Sequence, residues 1–405
     1  MKTKIMRIRN IILSVVFLLM PALARGTEIT MTTLCNDDIN FAVRQYTLML
    51  DDIGRKGPVR LPKTIDKMSR RVMIPIDDWC SGFFAGSLWY LYQLTGDKRW
   101  ATQARRYTEC LDSIQYLTWH HDVGFMIGSS YLNGYRIHPS KAYKKVIVQT
   151  AKSLSTRFRP GAGIIQSWNT TAGWQSKRGW HCPVIIDNMM NLELLFEATR
   201  LSGDSAFWHI AVSHADKTLA NHFRPDGSCY HVVDYDPQTG AVLHRQTAQG
   251  YADNSVWSRG QAWAVYGFTV CYRYTKDPRY LQQAQRTLNM LMNHPNLDDD
   301  LVPYWDLDAP NIPNEPRDAS TAAALASALY EMSAYVADKG YDRLADRILI
   351  SLSSKAYRAP LGKNGDFLLM HSVGSIPHGS EIDVPLNYAD YYFLEALYRR
   401  TKGRM

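Results

Sequence analysis

The stretch Trp180 to Asp204, WHCPVIIDNMMNLELLFEATRLSGD, decides the fold. Met190, Leu194, Ala198 and Leu201 form one helical stripe while Met189, Leu192 and Phe196 form a second, so the helix is apolar on nearly all sides. Such a helix needs protein on both faces. It ends at Ser202-Gly203-Asp204, a glycine stop followed by the N-cap of a second helix. Asp187 falls at the first turn. An ionised carboxylate is costly to bury unless it is paired or used, so an acid there is a helix cap or a working group, and we read it as both.

Working outward, apolar periodicity gives twelve helical segments, at about 36 to 53, 82 to 95, 98 to 116, 122 to 134, 140 to 156, 187 to 202, 204 to 222, 257 to 275, 278 to 293, 318 to 338, 341 to 356 and 386 to 401. Strand signals are few and short. Even-numbered helices end in tight turns at Thr95-Gly96-Asp97, Asn133-Gly134 to Pro139, Ser202-Gly203-Asp204, Lys276-Asp277-Pro278 and Lys339-Gly340. The connections leading into them are long and rich in Gly, Pro, Trp, His and Asp, except for the short one at Leu117 to His121. A repeated helical hairpin with one short and one long connection curls into a ring. The expectation is therefore an all-α chain, an (α/α)6 barrel of six helical hairpins, with its long loops at one mouth. Residues 25–405 are expected to form a single domain, because no linker interrupts the pattern. The even helices belong inside: Ser81 to Thr95 and Ser320 to Met332 are small or apolar almost throughout, with Gly86, Ala322 and Ala323 allowing close approach.

The first residues carry Lys2, Lys4, Arg7 and Arg9, then an apolar run from Ile11 to Met20, then Ala22-Leu23-Ala24. This is the pattern of a signal peptide over 1–24, too short to span a bilayer, and it predicts a periplasmic or secreted protein after cleavage near Ala24. The formal charge of +8 loses its meaning with the leader: taking those four from 46 Lys+Arg leaves 42 against 38 Asp+Glu, or +4. The remaining basic residues are scattered, which argues against nucleic acid. Neither a membrane nor an obligate protein partner is indicated. Cys35, Cys80, Cys110, Cys182, Cys229 and Cys271 show neither CxxC pairs nor zinc spacing, and read as buried free thiols.

With the long loops at one mouth, polar residues before or within the first turn of each even helix converge there. These are Asp77, Asp78 and Trp79; His120, His121 and Asp122; His181 and Asp187; His231, Gln249, Asp253, Arg259 and Trp263; Arg317 and Asp318; Glu381 and Asp383. A cup of acids, His, Arg and Trp suits a carbohydrate. Plainer roles exist for each: Asp122, Asp187 and Asp318 as N-caps, the His residues as structural hydrogen-bonding groups, the Trp residues as core. Adjacent His120 and His121 point differently and no HExxH or His-x-His pattern occurs, so no metal and no cofactor is expected. The absence of GxSxG, a P-loop and a strand-borne GxGxxG argues against serine hydrolase, NTPase and dinucleotide enzyme.

Asp78-Trp79-Cys80-Ser81-Gly82-Phe83-Phe84-Ala85-Gly86-Ser87-Leu88-Trp89, His121-Asp122-Val123-Gly124-Phe125, Asp187-Asn188-Met189-Met190-Asn191, Ser258-Arg259-Gly260-Gln261-Ala262-Trp263, Arg317-Asp318-Ala319-Ser320 and Tyr388-Ala389-Asp390-Tyr391-Tyr392 occur in this order. Together they resemble the motifs of glycoside hydrolase family 88, the unsaturated glucuronyl hydrolases. The resemblance implies an enzyme that removes a terminal 4,5-unsaturated uronic acid from lyase-generated, glycosaminoglycan-type oligosaccharides by protonation at C4 and hydration at C5. By motif match Asp187 is the general acid and then the base, and Asp122 stands beside it, orienting the sugar and opposing its ionisation. His231, Gln249 and Arg259 match positions lining the uronate subsite, with Arg259 the counter-charge for the substrate carboxylate and Trp79 and Trp263 the stacking surfaces. A Ser-x-x-Ser-x-Lys run associated with sulfated aminosugars in some members departs here to Ser372-Val-Gly-Ser375-Ile-Pro377. Rival readings are an unsaturated rhamnogalacturonyl hydrolase, an ordinary inverting glycosidase on the same barrel, and a periplasmic oligosaccharide-binding protein.

Overall fold

The computed structural model describes residues 31–336 and 339–403, so the leader expected over 1–24 lies outside the described residues. In chain order the helices are α1 (31–53), α2 (Phe83–Thr95), α3 (Lys98–Glu109), α4 (Val123–Ile127), α5 (Asn133–Ile137), α6 (Lys141–Ser155), α7 (Leu192–Ser202), α8 (Ser205–Asn221), α9 (Ser258–Thr275), α10 (Pro278–Met292), α11 (Ala319–Ser333), α12 (Tyr341–Leu352) and α13 (Asn387–Lys402). A π-turn, Gly128–Leu132, joins α4 and α5 into one inner helix. The inner ring runs from α2 through α4 and α5 to α7, α9, α11 and α13, and α13 packs back on α2 to close it. This is the (α/α)6 barrel.

Burial separates the two rings as the residue patterns demand. Every residue of α9 from Ser258 to Cys271 is buried, as is every residue of α11 from Ala319 to Met332, whereas α10 buries one stripe that includes Tyr280, Ala284, Leu288 and Leu291. Each fully buried large aliphatic or aromatic side chain contributes roughly 1.5–3 kcal/mol, so the all-round inner helices fix the ring. Small residues let the inner helices touch: a Cβ on Gly86 would lie 2.4 Å from Tyr391 Cε2 on α13 and 2.6 Å from the Ser129 carbonyl oxygen. The short turns are built as the residues require. Gly203 and Lys276 end their helices in the left-handed region, and the Asp204 and Asp277 side chains accept from the backbone N–H groups of Ala206 and Arg279.

Several expectations need correction. The inner helix expected to stop at Asn133-Gly134 continues to Ile137, because Asn133 Nδ2 donates to Tyr391 OH at 3.0 Å and spends its amide on α13. The turn falls later, where Ser140 Oγ accepts from Tyr143 N. The segment expected at 98 to 116 divides into α3 and a separate 3₁₀ turn, Asp112–Tyr116. The segment expected from 187 begins as a 3₁₀ turn, Ile186–Asn191, with α7 starting at Leu192.

The long loops hold more strand than their sequence suggests. Four small antiparallel sheets occur among the described residues, comprising β1 (Leu61–Ile65) with β2 (Arg71–Ile74), β3 (Phe158–Arg159) with β4 (Ile164–Ile165), β5 (Cys182–Ile185) with β6 (Val232–Tyr235) and β7 (Val242–Gln246), and β8 (Ser372–Ser375) with β9 (Ser380–Val384). The six cysteines are free, and all but Cys110 are buried.

Candidate active site

The register of β5 against β6 sets the site. Ile185 lies opposite Val232, and Ile186 N donates to the His231 carbonyl at 3.0 Å, so the chain leaves the two strands with Asp187 and His231 side by side. Asp187 Oδ2 lies 3.7 Å from His231 Nε2 and accepts no hydrogen bond among the described residues. The residue is only 9% exposed. Its side chain caps nothing, so the cap half of the expectation fails and the carboxyl is left free for chemistry. Burial pushes Asp187 up to about 7; the Arg259 charge opposes this and the Asp122 charge adds to it.

Asp122 precedes α4 and likewise makes no side-chain cap. Its carboxylate lies 3.2 Å from His120 Nδ1 and 3.4 Å from His121 Nε2. Burial pushes Asp122 up, but His121, His120 and Arg157 outweigh it and hold the carboxyl below the usual range. Two carboxyls that sense each other are thus driven in opposite directions. His121 itself is held down at about 4 by burial.

Arg259 and Trp263, four residues apart on α9, share one face. Arg259 is not the free counter-charge that was expected. Its Nη1 donates to Asp318 Oδ2 at 2.8 Å and to the Val373 carbonyl, and its Nη2 to the Gly374 carbonyl and to Gln249 Oε1 at 3.3 Å. The terminal nitrogens are engaged, so the guanidinium acts on Asp187 as a fixed charge and anchors β8. Trp263 also departs from expectation as a stacking surface, since its ring is fully buried against Phe125 and Tyr392. Its buried indole N–H makes no hydrogen bond among the described residues, and its nearness to Asp187 favours the ionised carboxyl only weakly.

Trp79 remains half-buried, held by Phe83, Phe125 and Tyr388, and lines a cleft of about 460 Å³ with Trp119, His120, Asp122 and Trp168. A roomier groove of about 640 Å³ lies between α10 and α12, but its lining holds a single acid, Asp346. The 460 Å³ cleft holds one member of the acid pair and is the better site. Trp168, Trp174 and Trp180 pack together above His231, and Trp174 meets His378 with ring centroids 4.8 Å apart. That aromatic wall went unassigned in the sequence, where each Trp taken singly reads more often as core than as a stacking platform.

Asp122, Asp187, Trp79, His231, Gln249, Arg259 and Trp263 therefore gather at the mouth. Others do not join them. The His181 ring is exposed, with Nδ1 3.5 Å from Asp234. Arg317 pairs with Asp298, Asp383 with His371 at 2.6 Å, and Asp253 accepts from Thr247 N. Asp77, Asp78 and His120, by contrast, line the cleft with Trp79 and Asp122, and Asp78 shares Lys63 with Glu381, at 3.3 and 2.7 Å. Sequence reasoning missed Asn188 and Asn191, although Asn191 stands one helical turn beyond Asp187. It also gave Tyr388 no role, yet its buried hydroxyl has no hydrogen-bond partner among the described residues.

A helical barrel whose mouth holds one proton-bearing and one ionised carboxyl under a wall of indoles defines an acid–base enzyme of the sugar-cleaving kind. Residues 62–393 match the model of Glycosyl Hydrolase Family 88, and the chain belongs to that family. It is 47% identical over 328 residues to an unsaturated glucuronyl hydrolase of Formosa agariphila, covering 81% of each chain. It is 31% identical to an unsaturated chondroitin disaccharide hydrolase of Streptococcus agalactiae, covering 90% of each. The crystal structure of an unsaturated glucuronyl hydrolase specific for heparin matches with a TM-score of 0.87 at 43% identity, covering 91% of this chain and 97% of that one.

Proposed function

We propose that this enzyme removes the terminal 4,5-unsaturated uronic acid from glycosaminoglycan-type oligosaccharides made by a polysaccharide lyase. The observation that carries this reading is the split between Asp187, pushed up to about 7, and Asp122, held below the usual carboxylate range. A C4=C5 bond next to the ring oxygen is an enol ether. Protonating C4 gives a cation shared by C5 and the ring oxygen, and water adding at C5 gives a hemiketal that opens to release the rest of the sugar. The scheme asks for one carboxyl that still holds a proton near neutrality, and Asp187 suits it. After giving up that proton Asp187 is an anion placed to take one from the attacking water. Asp122, ionised, accepts from sugar hydroxyls and steadies the positive ring.

Trp79 and Trp119 provide surfaces along the cleft for the sugar beyond. The Ser372 to Pro377 stretch is β8 and the turn after it. Ser375 Oγ pairs with His378 Nδ1 at 2.7 Å, and Pro377 stands where a lysine is associated with sulfated aminosugars. The relative whose name specifies heparin is the more similar in identity, so disaccharides from heparin lyase head the substrate panel, followed by those from chondroitin and hyaluronan.

Decay of the ultraviolet band of the conjugated alkene tests the proposal. Loss of the band with release of the reducing sugar is expected, and a band that persists with every unsaturated uronide in the panel overturns the reading. Export is proposed with it: N-terminal sequencing of protein from the periplasm or medium is expected to begin near Arg25.

A further inference from the structure

Asn191 lies at the end of the 3₁₀ turn that carries Asp187 and is completely buried. Its Oδ1 accepts from Phe125 N at 3.0 Å, which fixes the orientation of the amide. Nδ2 then faces Asn188 Oδ1 and His121 Nδ1, each at 3.4 Å. Asn188 is oriented in the same way, because its Nδ2 donates to the Ile165 carbonyl at 2.8 Å. An amide nitrogen only donates, so Asn191 Nδ2 meets His121 Nδ1 as an accepting nitrogen, while Asn188, whose side chain also hydrogen-bonds the ring and favours its protonated form, competes for it. Where Asn191 prevails, the ring hydrogen of neutral His121 sits on Nε2, which faces Asp122 Oδ1 at 3.4 Å.

His231 is held in the same tautomer by different means. Its Nδ1 accepts from the backbone N–H groups of Ala248 and Gln249 at 3.0 and 3.2 Å, which leaves the hydrogen on the Nε2 that faces Asp187. Each working acid thus has an imidazole N–H turned toward it. One ring is set by backbone and the other by a side-chain amide.

We propose that Asn191 is a positioning residue of this reaction: by donating to His121 Nδ1 it turns the imidazole N–H toward Asp122 and couples the two acids through one buried amide. The proposal rests on the roles given above to Asp122 and Asp187. Contact supports the coupling as well as hydrogen bonding. A Cβ on Gly124 would lie 2.4 Å from Asn191 Oδ1 and 2.6 Å from its Cα, so the first turn of α4 rests directly on the turn bearing Asp187. Asp122 is faced by His120, His121, Arg157 and Asp187, and Asp187 by Arg259, Asp122, His231 and Trp263. Only His121 among these has its tautomer set by Asn191.

The test combines two readouts on the full chain. In nitrogen-15 spectra of histidine-labelled protein, with His121 assigned through His121→Gln, the parent is expected to show Nε2 protonated and Nδ1 bare from pH 6 to 8. A hydrogen on Nδ1 overturns the proposal whether or not any variant folds. Asn191→Asp keeps the oxygen that Phe125 N needs but replaces the donor with an acceptor, and is expected to place a hydrogen on His121 Nδ1; an unchanged ring overturns the proposal. Asn191→Leu is expected to lower kcat at least tenfold with KM within about twofold, and to move the acid limb of the pH profile upward as Asp122 becomes easier to protonate. A uniform loss of activity with an unmoved profile and an unmoved tautomer marks Asn191 as packing only. If the parent turns over no unsaturated uronide the functional reading fails by itself, and the spectra still judge Asn191.

Discussion

Asp187 is held close to neutral pH by its own burial, and that arrangement has consequences for both activity and stability. The reaction needs Asp187 protonated and Asp122 ionised, so turnover by the free enzyme is expected to fall as pH rises through about 7 and to fall again in acid as Asp122 takes up a proton. A profile of kcat/KM against pH that stays flat from 6 to 9 contradicts this. Asp187→Asn is expected to remove turnover by a factor of about 100 to 10,000 or more. It should also stabilise the fold. A carboxyl raised from 3.8 to about 7 binds its proton more tightly in the folded chain, so the folded state is penalised as pH climbs from about 4 to 7 and remains so above. At full ionisation the penalty is on the order of 4 kcal/mol. Urea melts of Asp187→Asn and parent should therefore diverge most at pH 8, approach each other as pH falls, and converge only below about pH 4. At this scale the sequence was informative about identity and poor about contact. Asp187 and Asp122 were legible as acids at helix starts, but the partners of Arg259 lie at Asp318, Val373 and Gly374, and no local pattern announces them.

The helices were legible because their apolar period is strong, and their ends were less so because ends depend on side chains elsewhere. Asn133 reads as a stop yet sits inside a helix, its amide taken by Tyr391 from the far end of the chain. Val232 to Tyr235 and Val242 to Gln246 are short, and nothing in four or five residues specifies pairing with Cys182 to Ile185; the ladder that sets Asp187 beside His231 was therefore invisible beforehand. The element contacts also predict where the barrel will not tolerate volume. Gly86→Leu places new atoms against Tyr391 and the Ser129 backbone, and is expected to cost about 1–3 kcal/mol or more, read as a lower midpoint in thermal unfolding. Asp390 tests a different joint. It accepts from Leu368 N, Leu369 N and Tyr46 OH, tying α13 to α1 and to the loop before β8. Asp390→Ala leaves those buried donors unpaired and is expected to destabilise by about 3 kcal/mol, with kcat of the folded fraction little changed.

The barrel as a whole followed from the alternation of short and long connections, which needs no knowledge of any contact. Closure makes the chain ends interdependent, since α13 packs on both α11 and α2. A chain ending at Leu386 lacks the stave that buries Asn387 to Leu397, and is expected to lose its cooperative unfolding transition in circular dichroism. The seat of Gly124 on Asn191 reaches further than local packing. Because the helix bearing one acid leans on the turn bearing the other, neither can be shifted alone, and the spacing of the pair is inherited as a unit. Descendants of this enzyme that turn to new oligosaccharides would then do so by remodelling the indole-lined walls, while the proton-handling centre stays where it is.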